Sequence, residues 1–271
     1  MKDNQDIELL KTAEAPDALI GFVSVSRSLK KLIFDEADIT KISATLADVK
    51  NINSLTLMNF DMQPRESLFS RNGHITRYVF INVIFETWNE LDIMTFLDTM
   101  ILDNKIIDTL IFRECVYSSD FTKILLDDVR LTNAPLQILE LGLTGSELQE
   151  LARMISMTNT IHVLRVDAMG FFQEHDTDAI ILDALKENVS IVFFEYPLYG
   201  LFHEDETKEL ITTNIEYNIM HMNMYNIFKG PHPDLSRFIS QHELLQRYLE
   251  EEKELKRQRF GSQHPVIEVD E

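Results

Sequence analysis

Cysteine, glycine and basic residues are all scarce in this chain, and each shortage argues against a class of explanation. One cysteine, Cys115, among 271 residues excludes an internal disulfide framework and any Cys-x-x-Cys metal knuckle. The eight glycines never assemble a GxGxxG, a Walker A sequence or a GxSxG elbow. Forty-five acids stand against 25 bases, a formal charge of −20 with pI near 4.7, which argues against non-specific attachment to nucleic acid or anionic lipid. No stretch reaches the run of about 18 apolar residues that a membrane span requires. The start, MKDNQDIELL, lacks a basic segment leading into an apolar one, so no secretory signal is expected. The histidines show no HExxH spacing, and His221 and His232 suit surface and turn roles. Asp127–Asp128 and Glu204–Asp205–Glu206 are adjacent carboxylates for which structural readings suffice. With no nominated catalytic residue, the chain is expected to be non-enzymatic, to carry no cofactor or metal, and to work in a reducing, cytoplasmic compartment.

What is present is an ordinary globular composition, 45% hydrophobic and 26% charged, arranged with a period. The template apolar-x-x-apolar-x-apolar fits LKKLIF at 29, INSLTL at 52, ITRYVF at 75, IDTLIF at 107, LQILEL at 136, IHVLRV at 161 and IVFFEY at 191. The steps are 23, 23, 32, 29, 25 and 30 residues. A six-residue template alone would match by chance, so the regular spacing carries the inference, with a second marker beside it. Asparagine precedes the template by three residues at Asn72, Asn104, Asn133 and Asn188, and by two at Asn159. Repeats of this length signify stacked supersecondary units.

Between the templates the apolar period lengthens to about 3.6, as helices require. The spacing predicts a helix over 90–104 with Leu91, Met94, Leu97 and Ile101 on its buried face. It predicts another over 118–131 through Phe121, Ile124, Leu125 and Val129. A third opens with Ser146 and Gln149 at capping-box spacing and buries Leu148, Leu151 and Ile155. A fourth, over 176–188, buries Ile181, Leu182 and Leu185. The order strand, turn, helix, turn resembles the leucine-rich repeat family, in its ribonuclease-inhibitor-like class with a full helix per repeat. ILDALKENVSIVFFEY (181–196) carries the likeness most fully. The Asn/Cys of the family's position nine is clear only at Cys115, and the first two intervals are short. The resemblance implies an α/β horseshoe, with a concave parallel β-sheet, convex helices and helical caps. It divides the chain into an N-terminal cap (1–28), about seven repeats (29–214), a C-terminal cap with a long helix (215–260), and a disordered tail (261–271).

Alternation along each strand assigns the remaining positions. Positions four and six enter the core, and positions three, five and seven face the concave side. The position-three row holds Arg77, Ile138, Val163 and Phe193, and the position-five row holds Ile33, Val79, Ile111, Glu140 and Arg165. Met58, Ile81 and Arg113 lie in the position-seven row. Ile33, Met58, Val79, Ile81 and Ile111 are expected to form one exposed apolar patch, and Ile138, Val163 and Phe193 a second stripe. Contiguous apolar surface of this kind marks a protein interface, so these twelve residues are the candidate partner-binding set. Residues 81–228 hold 25 acids and 8 bases, which fits either a partner with a basic patch or a solvated acidic exterior.

Two further functions compete. Ran GTPase-activating proteins are similar in being acidic solenoids of this class, and a chain acting in that way would use Arg27, Arg65 or Arg71 as its arginine finger. Stimulated hydrolysis by a panel of purified GTPases tests this. LEEEKE (249–254) resembles the glutamate-rich tails of bacterial type IV secretion effectors, although a charged helix end explains it equally. Unchanged delivery after deletion of residues 250–271 would remove the effector reading.

Overall fold

The computed structural model describes residues 9–12, 29–36, 51–64, 74–102, 104–131, 135–143, 146–168 and 177–195, together with Ile215 and Glu250. Eight strands form one sheet in chain order: β1 Leu9–Thr12, β2 Lys31–Asp35, β3 Ser54–Asp61, β4 Arg77–Ile84, β5 Thr109–Arg113, β6 Ile138–Leu143, β7 Val163–Ala168 and β8 Phe193–Glu195. Every pairing is parallel and joins neighbours in sequence. Helices α1 (Glu90–Leu97), α2 (Ser119–Leu131), α3 (Leu148–Met157) and α4 (Thr177–Glu187) fill the intervals from β4 onward. This is an open α/β solenoid of the leucine-rich-repeat type. The intervals 37–50 and 65–73, most of the caps and the tail lie outside the described residues.

The register is the one the template demands. Lys31, Ser54, Arg77, Thr109, Ile138, Val163 and Phe193 stand opposite one another in turn along the sheet. One carbonyl per repeat, at position two, enforces it. The Lys30 carbonyl accepts from Asn53 N at 3.0 Å and Ser54 N at 3.2 Å, and the Asn53 carbonyl accepts from Thr76 and Arg77. The same step recurs from Thr76 to Asp108, Asp108 to Gln137, Gln137 to His162, and His162 to Val192. The line of forked bonds is unbroken from β2 to β8. On the other side of β2, Leu10 pairs with Leu32 and Thr12 with Phe34. The segment expected as an N-terminal cap therefore contributes a strand, whose sixth position is Thr12 rather than an apolar residue.

From Leu29 to Phe194, the described residues at template positions one, four and six enter a single core. Leu29, Ile52, Ile75, Ile107, Leu136, Ile161 and Ile191 form its position-one row, each at most 1% exposed. Helix residues close that core: Phe121, Leu125 and Val129 from α2, Leu148, Leu151 and Ile155 from α3, and Ile181 and Leu185 from α4. Ile124 and Ile215 pack against it. Helix α1 departs from expectation, because Leu91 and Met94 are 72% and 43% exposed while Ile93, Phe96, Leu97, Met100 and Ile101 are buried. The buried set keeps helical spacing, i, i+3, i+4, i+7 and i+8 from Ile93, and includes the expected Leu97 and Ile101, while Met94 stands at the edge of that stripe and Leu91 off it. The cap of α3 also differs: its N-cap is Glu147, with no side-chain capping bond, because the Ser146 hydroxyl is spent on the buried Glu147 carboxylate at 2.6 Å. A capping box does exist at α1. There the Asn89 side chain accepts from Asp92 N at 3.0 Å, and Asn89 N donates to the Asp92 carboxylate at 3.1 Å.

In the repeats of β2 to β5, one further position is fixed by backbone geometry. Glu36, Asn59, Asn82 and Glu114, all at position eight, have φ between 52° and 59°. One left-handed residue inverts the alternation, so the odd positions nine and eleven turn back into the core as Phe60 and Met62, Val83 and Phe85, Cys115 and Tyr117. Asparagine tolerates this conformation best among residues bearing a Cβ. The two asparagines also link outward, Asn82 donating to Asn59 at 2.8 Å and Asn59 to Asp35 at 2.5 Å.

The asparagines ahead of the strands have a structural role where they are described. Asn188 is buried; its amide donates to the carbonyls of Ile155 and Thr158 at the end of α3 (2.7 and 3.0 Å), and its oxygen accepts from Ser190 N and Ile191 N (2.9 and 2.8 Å). Helix ends leave carbonyls without intrahelical partners, and this side chain supplies them while shaping the next turn. Asn104, also buried, donates instead to the Ile75 carbonyl ahead of β4 at 2.8 Å and accepts from Ile106 N at 3.3 Å. Asn159, one residue out of phase, is exposed. Asn188→Ala is expected to lower unfolding free energy by about 2–4 kcal/mol, since it orphans several buried groups. Asn159→Ala is expected to be close to neutral, and urea denaturation of both variants measures the contrast.

His162 at position two is buried, with its Nδ1 3.0 Å from the Ser190 carbonyl. Burial holds its pKa below the ordinary value, so the unfolded chain takes up a proton that the folded chain refuses. Its contribution is thus present above about pH 6.5 and lost as pH falls below that value. In urea titrations at pH 7.5 and 5.5, the wild type is expected to lose more stability than His162→Gln on going to the lower pH.

Candidate functional site

The structure brings the twelve candidate residues together on one face. Ile33, Thr56, Val79, Ile111, Glu140 and Arg165 are consecutive register partners, and so are Met58 with Ile81 and Ile81 with Arg113. Two apolar clusters stand there apart from the main core. The first contains Ile33, Met58, Val79, Ile81 and Ile111. The second contains Ile138 and Val163, with Phe193 packed against them. Every member comes from a strand, whereas the helix residues all belong to the core on the opposite side.

The expectation of exposure is corrected. The five residues of the first cluster are only 1–6% exposed, and Ile138 and Val163 are fully buried. Arg77 and Arg113 are buried too, and Arg165 and Phe193 are half-buried. Strand alternation assigns a residue to a face but is blind to what lies over that face. Among the described residues, no helix contributes to either cluster.

Between the clusters runs a band of charge. Glu140 is 0% exposed and accepts two parallel bonds from Arg113, Nε to Oε1 and Nη2 to Oε2, each 2.5 Å. Fork-to-fork pairing is the strongest geometry available to these groups, and burial makes it obligatory, because a lone carboxylate there would be severely desolvated. On the far side Arg165 Nη1 lies 3.9 Å from Glu140, while its Nε lies 3.3 Å from the Glu195 carboxylate and 3.6 Å from that of Asp167. The chain Arg113–Glu140–Arg165–Glu195 thus crosses β5 to β8. The β5–β6 register ends at Ile111–Glu140. Beyond it the Tyr117 hydroxyl stands in for a strand, accepting from Gly142 N at 2.6 Å and donating to the Gly142 carbonyl at 3.1 Å. Burial holds that hydroxyl well above the usual tyrosine range, so it remains a donor. Periodicity had singled out neither Tyr117 nor its pairing with Gly142.

The nucleophile and acid candidates outside this band have structural surroundings. Burial pushes the Cys115 thiol up to about 12; its sulfur lies 3.4 Å from the Phe80 carbonyl, a backbone contact made at position nine. Asp127 pairs with Arg130 at 2.8 Å. Asp128 is raised to about 6, first by burial and then by the charges of Asp98 and Asp127. Among the described residues no group of three or more His, Cys, Asp or Glu is placed to hold a metal, and no helix is long and apolar enough to cross a membrane. Arg27, Arg65, Arg71, Glu204–Asp205–Glu206, His221, His232 and the C-terminal helix beyond Glu250 lie outside the described residues.

Fold and face together define a leucine-rich-repeat-type solenoid with apolar and ionic chemistry on the side of its sheet opposite the described helices. No family model matches the chain, and no curated protein matches it. Among solved structures, the tropomodulin C-terminal domain of Caenorhabditis elegans is similar at 12% identity and a TM-score of 0.41, the match covering 71% of this chain and 99% of that one.

Removing Glu140 alone strands Arg113 in a buried site. Glu140→Ala is therefore expected to cost about 3–5 kcal/mol, whereas the apolar double replacement Arg113→Met/Glu140→Leu is expected to recover most of that loss. Chemical denaturation of the single and double variants tests the pair. Equal losses in the two would show that the band is not held by its charges.

Proposed function

We propose that the chain is a non-catalytic protein-binding module whose sheet face opposite the described helices seats a polypeptide. One observation carries this reading. Two apolar clusters flank the Arg113–Glu140–Arg165 band on a face that the described helices do not use. Aliphatic side chains of this kind stabilise a complex by roughly 1.5–3 kcal/mol each when fully buried, while a buried ion band sets register and selects partners more than it adds affinity. Turnover is a poorer fit, because the arginines and Glu140 pair with one another and the Cys115 thiol is held protonated by burial.

The face is largely buried, so the proposal includes access of a partner segment to these rows. The partner's chemistry follows the rows. At the described positions the bases Lys31, Arg77, Arg113 and Arg165 stand against the acids Asp35, Glu140, Asp167 and Glu195. A partner segment for this face is therefore apolar with charges of both signs, and a basic patch would meet the acidic excess elsewhere on the chain. A cytoplasmic setting remains the proposal for its compartment. The secreted-effector and GTPase-regulator readings rest on residues outside the described set and gain no support from the face.

Affinity capture from cell lysate tests the reading, with wild type beside two variants. Val79→Asp/Ile111→Asp strikes the first cluster, and Phe193→Asp/Glu195→Arg strikes the more accessible end of the band. Circular dichroism checks both for folding, which matters because Val79 and Ile111 are buried. A partner whose recovery falls at least tenfold in the folded β8 variant is the expected result. Undiminished recovery by that folded variant would place binding elsewhere.

A further inference from the structure

We draw no further inference here: the strongest candidate, the row of exposed apolar side chains that Ile106, Leu131, Met157 and Val189 set along the helix-to-strand rim of the solenoid, is an unpartnered face, and nothing in the structure shows what covers it.

Discussion

The rest of the molecule depends on the line of position-two carbonyls. Each accepts two amides from the following repeat and thereby fixes where the next strand enters the sheet. With entry fixed, side-chain alternation becomes a property of the whole array rather than of one strand. A slip by one residue would exchange the core row of Leu32, Leu55, Tyr78 and Leu110 with the opposite row of Ile33, Thr56, Val79 and Ile111. Both rows are largely apolar, so hydrophobic patterning alone would resist the slip weakly. The backbone line, the asparagine side chains and the bidentate Arg113–Glu140 pair supply the discrimination that composition leaves out.

That ambivalence explains what the sequence disclosed and what it concealed. Positions one, four and six were legible because a fixed spacing of large aliphatics recurs across intervals of different length. The three outward rows followed by alternation, and the register confirms their alignment. Their burial was not legible, because Ile at position five reads the same whether it meets water or protein. Strand β1 escaped because Thr12 interrupts the template. The left-handed turn at position eight escaped because it is filled by Asn twice and Glu twice, a pair of residue types with no shared sequence signal. In helix α1 the expected Leu97 and Ile101 are buried, but Leu91 and Met94 are large apolar residues lying outside the stripe of Ile93, Phe96 and Met100, and residue type alone does not separate the two sets.

The two sides of the sheet also differ in kind. The helix side is dense with aromatics around the centre, where Phe80 stacks on Phe112 at 5.0 Å and Tyr117 on Phe121 at 4.9 Å, with Trp88 edge-on to Phe96. Such ring pairs add to the apolar area buried on that side. The opposite side is aliphatic and interrupted by charge, and its ion pairs accept only one arrangement. The helix side therefore supplies cohesion, while the band on the other side favours one alignment over its near neighbours.

The intervals between templates run from 23 to 32 residues, yet the register does not move. Length variation is confined to the segments outside the sheet, and each strand re-enters at the same carbonyl whatever precedes it. Sheet and connections are thus decoupled: a connection of any of these lengths leaves the inner rows with the same neighbours, so the chemistry of the sheet face does not depend on the length of the segments that link its strands.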